Sequence, residues 1–214
     1  DRRQRQMCIR DRLKGRALDQ EIAEDAYHTP YIRSLVQPKF RREKKGLTPA
    51  ERGTATHLVL QYLDLQNLDV PGQVEKLRLE AKLTAEQAAA VDVPALRRFL
   101  ESTLAEEMRQ AETAAREYRF TVLMPARDYD PAAAEEDSIL LQGVVDCWFE
   151  TPKGVTVVDF KTDFVQTEED VAQHAELYRG QLAAYSLALE RVLEKAVTRK
   201  ALYFLQAGKT VEIS

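Results

Sequence analysis

The chain has 214 residues, 44% hydrophobic and 31% charged, which suits one large domain with a real core and excludes a disordered or collagen-like chain. Its 31 basic and 35 acidic residues leave a net charge of −4, which argues against a protein coated in positive charge for binding polyanions. No apolar run approaches the roughly 20 residues of a membrane helix, and no signal-peptide pattern opens the chain, so a cytoplasmic location without membrane contact is expected.

The chain begins at Asp1 and reads as a piece of a longer protein. Residues 1–12 (DRRQRQMCIRDR) have no periodicity and are expected to be a non-native or unstructured leader. A polar lead-in over 13–46, with a short helix and a strand, carries the basic run Lys39, Arg41, Arg42, Lys44 and Lys45. That run reads either as a phosphate-contacting segment or as a solvated charged face.

At Leu47 the pattern changes. Thr48 can cap a helix, Pro49 suits its first position and Glu51 completes a capping box. The helix is predicted to run to about Asn67 with Leu58, Val59, Tyr62, Leu63 and Leu65 inward. Residues 71–115 are rich in Ala, Leu, Glu, Gln and Arg and read as a helical insertion, with a second capping box at Thr84 and Gln87 and a helix start at Asp92 and Pro94.

The period then shortens to two. Tyr118, Phe120 and Val122 alternate with polar residues as a strand, and an acidic, alanine-rich loop follows over 128–137. Leu141 to Asp163 reads as a β-hairpin around Thr151-Pro152-Lys153-Gly154, which has type I turn chemistry. A long amphipathic helix spans 172–195, and short strands are predicted at 201–205 and 211–213 around Gly208. Gly208-Lys209-Thr210 imitates the end of a phosphate-binding loop, but Tyr203 stands where that motif requires glycine.

The hairpin carries the chemistry. With Thr151 opposite Gly154, Asp146 lies opposite Asp159, and Lys161 shares the face of Asp159; Val144, Asp146 and Trp148 form the matching row. Two facing carboxylates repel, and burial aggravates it. Lys161 answers this as part of a structural charge cluster; a divalent cation answers it as a ligand of hard oxygens. On the cation reading, neutralising Asp159 relieves repulsion and leaves metal-free stability level or raised. Glu117 reads as a solvated strand-edge glutamate, with support of a second metal as the alternative.

G-V-V-D followed thirteen positions on by D-F-K resembles the D…(D/E)-x-K signature of restriction-endonuclease-like nucleases. GTATH, Gly53 to His57, resembles the histidine motif of RecB-type nucleases, and Gln181 to Tyr185 their Q-x-x-x-Y motif. The strings GLTPAERGTATHLVLQYLDL, VVDFKTD and YRGQLAAYSLALERVL are similar to the C-terminal nuclease domain of the AddA family, over about residues 38–205.

The resemblance implies an α/β fold: a restriction-endonuclease-like mixed sheet in the order αβββαβ, forming a PD-(D/E)XK nuclease domain over 47–214. It implies a DNA nuclease that works with an ATP-dependent helicase motor and an AddB-type partner subunit in recombinational repair of double-strand breaks. It implies Mg²⁺, with Mn²⁺ able to substitute, held by His57, Asp146, Asp159 and the carbonyl of Phe160, with Lys161, Gln181 and Tyr185 completing the catalytic set. Cys8 and Cys147 cannot build the four-cysteine iron–sulfur site of the AddB and Cas4 relatives. A catalytically silent docking domain and a free-standing RecB-like exonuclease are the alternatives.

Overall fold

The computed structural model describes residues 46–128, 131–163, 165 and 167–213. The leader 1–12 and its Cys8, the lead-in up to residue 45 and the basic run Lys39 to Lys45 lie outside the described residues. The described residues divide into two compact units, one up to Arg97 and one from Arg98 onward.

The first unit is helical where it is described. Helix α1 (Pro49–Tyr62) starts as its sequence dictates: the Glu51 amide donates to Thr48 Oγ1 at 3.2 Å, and the Thr48 amide donates to Glu51 Oε2 at 2.8 Å. It ends five residues before the predicted Asn67, because Leu63 turns extended at ψ 120°. The cause lies in α2 (Val70–Leu79). Gln73 accepts from the Asp64 amide at 2.7 Å and donates to the carbonyls of Asp64 at 3.1 Å and Asn67 at 2.7 Å, clamping a turn where helix would continue. Tyr62, expected inward, is exposed with the Lys82 ammonium 3.9 Å above its ring, while Val59, Leu60, Leu63, Val74 and Leu77 form the core. Helix α3 (Ala85–Ala90) has the predicted box between Thr84 and Gln87.

In the second unit, the end of α4 (Val93–Leu100) and α5 (Thr103–Gln110) precede five strands. These are β1 (Ala114–Pro125), β2 (Ser138–Thr151), β3 (Gly154–Lys161), β4 (Val197–Phe204) and β5 (Lys209–Glu212), adjacent in that order. All neighbours are antiparallel except β3 and β4. That parallel pair requires a crossover, supplied by α6 (Glu168–Leu193).

Helix α6 begins with a capping box between Thr167 and Asp170 and ends with Glu194 in left-handed conformation. Its Val171, Ala175, Leu182 and Leu189 bury against Val155 and Val157 of β3 and Leu202 and Phe204 of β4 in one core cluster. Each Leu or Val so buried contributes about 1.5–3 kcal/mol. On the opposite face of β3, the Phe160 ring meets Phe99 at 5.1 Å and Tyr203 at 6.2 Å, both edge to face. No helix among the described residues is long and apolar enough to cross a membrane.

The hairpin has the expected register from Thr151↔Gly154 to Cys147↔Val158, where the ladder ends. Strict alternation fails further along β2. Val145, not Val144, joins Trp148 in the cluster under α6, although they are an odd number of residues apart. On β1, Ala115 and Tyr118 likewise pack on one side. Both strands therefore switch faces at the same level, and there Glu117 has φ +50°, the left-handed region that L-residues avoid inside strands. No residue is inserted, since Arg116↔Cys147 and Tyr118↔Val145 keep one register.

Candidate active site

The site forms where this kink meets the end of β3. Glu117 and Asp146 stand opposite each other at the switch, both half-buried. Asp146 Oδ2 accepts from the amide of Phe160 at 2.8 Å, so its carboxylate reaches the main chain between Asp159 and Lys161. The sequence placed Asp146 opposite Asp159, with either Lys161 or a divalent cation to offset the two charges. In the structure, Asp159 is paired with Lys161, Oδ2 to Nζ 2.8 Å, both side chains about 5% exposed or less.

Helix α6 supplies the other wall. Gln181 Oε1 accepts from Lys161 Nζ at 3.3 Å, and its amide nitrogen donates to the Tyr185 hydroxyl at 2.8 Å and to Asp159 Oδ1 at a long 3.5 Å. This fixes the amide's orientation, because a cationic donor requires the oxygen to face it. The Tyr185 ring packs edge to face on Phe120 at 5.9 Å. Gly143 makes room for both rings: a Cβ there would lie 2.8 Å from Phe120 Cζ and 3.4 Å from Tyr185 Cε1. Four of the sequence-predicted residues, Asp159, Lys161, Gln181 and Tyr185, are thus one hydrogen-bonded group, joined to Asp146 through the Phe160 amide. His57 lies half-buried on α1 of the helical unit, one turn after Gly53.

Cys147, next to Asp146, is fully buried. Burial pushes its thiol up to about 12, against the opposing pull of Arg116 and with the charge of Asp146 adding to the rise. Sealed in the core, it reads as a packing residue.

Glu117, read from the sequence as solvated or as support for a second metal, is half-buried. A carboxylate oxygen of Glu117 and one of Asp146 lie within 4.8 Å of each other. A cation with oxygen ligands at about 2.0–2.6 Å bridges such a span. Hard carboxylates fit Mg²⁺ or Mn²⁺, and the left-handed backbone, which costs a non-glycine residue about 1–2 kcal/mol, is the kind of strain that clusters at functional sites. Glu117→Gly is therefore expected to leave the metal-free chain level or up to about 1 kcal/mol more stable, because relief of backbone strain offsets the flexibility of glycine. The same change should weaken stabilisation by Mn²⁺, and thermal melts in EDTA and in Mn²⁺ check both signs. A large metal-free loss with full Mn²⁺ stabilisation would show that the strained glutamate serves packing alone.

A profile of the PD-(D/E)XK nuclease superfamily matches residues 26–212. The chain belongs to that superfamily. The mixed five-stranded sheet, with helix α6 packed on it, fits this PD-(D/E)XK assignment. Among curated proteins, the chain is 39% identical over 200 residues to an ATP-dependent helicase/nuclease protein of Acetivibrio thermocellus, covering 91% of this chain and 16% of that protein. It is 36% identical to the protein of the same name from Ruminiclostridium cellulolyticum, with 91% and 16% covered. The Bacillus cytotoxicus protein of that name is 36% identical over 208 residues, covering 89% of this chain and 17% of its own length. The chain thus spans about a sixth of the length of these relatives.

Proposed function

We propose that the chain is the nuclease domain of an AddA-type helicase–nuclease, hydrolysing DNA phosphodiester bonds with a divalent cation, Mg²⁺ or Mn²⁺. The observation that carries this reading is the buried Asp159–Lys161 pair, held by Gln181 beside the Asp146 carboxylate. A buried ammonium and two carboxylates are expensive to maintain in a fold and are what phosphodiester hydrolysis needs.

Asp146, Asp159 and Glu117 are the proposed carboxylate ligands, with the Phe160 carbonyl beside them. His57 is proposed as a further ligand on its motif. When bound, the cation polarises the scissile phosphate and lowers the pKa of the attacking water. Lys161 orients that water and offsets negative charge growing on the phosphate oxygens. Gln181 accepts from the Lys161 ammonium beside its contact with Asp159, and Tyr185 holds Gln181. The motor of the longer protein would deliver single strands, an AddB-type protein would be its partner, and repair of double-strand breaks in the cytoplasm its setting.

Cleavage of labelled single-stranded DNA by the 214-residue chain tests this reading. Products are expected with Mg²⁺ or Mn²⁺ and not with EDTA, and His57→Ala should cleave more slowly while keeping its helical circular dichroism, since alanine suits a helix interior. Metal-independent products, or DNA binding without cleavage in either metal, contradict the proposal; the latter is the outcome of a silent docking domain.

A further inference from the structure

We propose that Tyr178 is a positioning residue for Lys161, working through the face of its ring, with Asp163 as the anchor that sets the ring's tilt; this rests on the catalytic reading of Lys161. Tyr178, Gln181 and Tyr185 are spaced i, i+3, i+7 along α6, which places them on one side of the helix. Tyr178 is buried at 6% exposure, and Lys161 Nζ sits 3.6 Å from its ring centroid. The Tyr178 hydroxyl donates to Asp163 Oδ2 at 2.7 Å, and Asp163 lies two residues beyond Lys161 at the end of β3.

Three different groups therefore bound the ammonium: the Asp159 carboxylate at 2.8 Å, the Gln181 oxygen at 3.3 Å and the Tyr178 ring. The ammonium already touches Asp159, and the ring closes a further side of it with an aromatic face. A π face attracts a cation without accepting its proton. It is thus a partner that keeps the Lys161 ammonium aimed, yet does not compete for it as a third carboxylate would. The Asp163 bond ties the ring to the strand that carries Lys161, so lysine and ring keep their relation even if α6 shifts slightly.

The bland alternative is that Tyr178 only fills the core beneath α6, to which it also belongs. Tyr178→Phe and Tyr178→Leu separate the two, together with a series in which fluorinated phenylalanines at 178 weaken the ring's π face at nearly constant shape. In single-turnover cleavage by the 214-residue chain, Tyr178→Phe should stay within about threefold of the parent. Tyr178→Leu should fall about tenfold or more at unchanged KM, and activity should decline stepwise with fluorination. Acylation of Lys161 by an amine-reactive reagent, read by peptide mass, gives a readout that needs no cleavage: it should rise in Tyr178→Leu and not in Tyr178→Phe. A flat fluorine series, or equal Lys161 acylation in all three proteins, overturns the proposal. Should Lys161→Met cleave as well as the parent, the catalytic reading of Lys161 fails instead; an inactive Lys161→Met with a flat Tyr178 series removes this inference alone.

Discussion

Lys161→Met should abolish detectable cleavage and, in EDTA, make the chain less stable by about 3–5 kcal/mol. Methionine keeps most of the lysine stem, so the change removes charge and hydrogen bonding more than volume. What it leaves behind is the Asp159 carboxylate, 4% exposed and deprived of the ammonium 2.8 Å away. Removing one partner of a buried pair leaves an uncompensated charge, which is the larger part of that loss. Losing one preorganised donor near the developing charge lowers turnover by about 10²–10³-fold, and losing the group that orients the water lowers it further. Added Mn²⁺ should restore part of the stability, because it supplies the positive charge that Asp159 lacks and binds only the folded chain. Urea titrations in EDTA and in Mn²⁺, with cleavage measured alongside, test the three signs together. Cleavage within tenfold of the parent contradicts the role given to Lys161.

Asp159→Asn should destabilise the metal-free chain by about 3 kcal/mol, and the sign is the informative part. The cation reading of the sequence led to a level or raised metal-free stability, because it weighed the repulsion between Asp159 and Asp146 above the pairing with Lys161. In the structure Asp146 is satisfied by the Phe160 amide, and Asp159 is the counter-ion of Lys161. An asparagine at 159 therefore strands a buried ammonium rather than relieving a repulsion. In the double variant Asp159→Asn/Lys161→Met no charge of the pair remains, so the combined loss should be clearly smaller than the sum of the single losses. Additive losses would mean that the two side chains do not interact in solution as they do at 2.8 Å here. Cleavage should be lost in both variants that lack Asp159.

What the sequence made legible was local. The capping boxes of α1 and α3 and the register from Thr151↔Gly154 rest on residues three or four apart, whose chemistry has few alternatives. The motif residues Asp159, Lys161, Gln181 and Tyr185 do meet in one group. Three features were not legible, each because a distant partner decides it. Helix α1 stops early through a side chain nine residues away in the next helix, Gln73. The face switch at Glu117 and Asp146 depends on a left-handed glutamate within a strand, and no residue type advertises that conformation except glycine or asparagine. The Tyr178 ring over Lys161 depends on how α6 seats on β3, which spacing along either element cannot give.

Calorimetric titration of Mn²⁺ into the metal-free parent, Lys161→Met and Asp146→Asn tests most directly the claim that these carboxylates form the cation site and that Lys161 stands outside it. The parent and Lys161→Met should both bind, Lys161→Met at least as tightly, since an ammonium is no ligand and its loss leaves Asp159 more available. Asp146→Asn should bind at least about tenfold more weakly, because it loses one of the two oxygens set within 4.8 Å of each other. Equal affinity in the parent and Asp146→Asn, or loss of binding in Lys161→Met, would contradict the account.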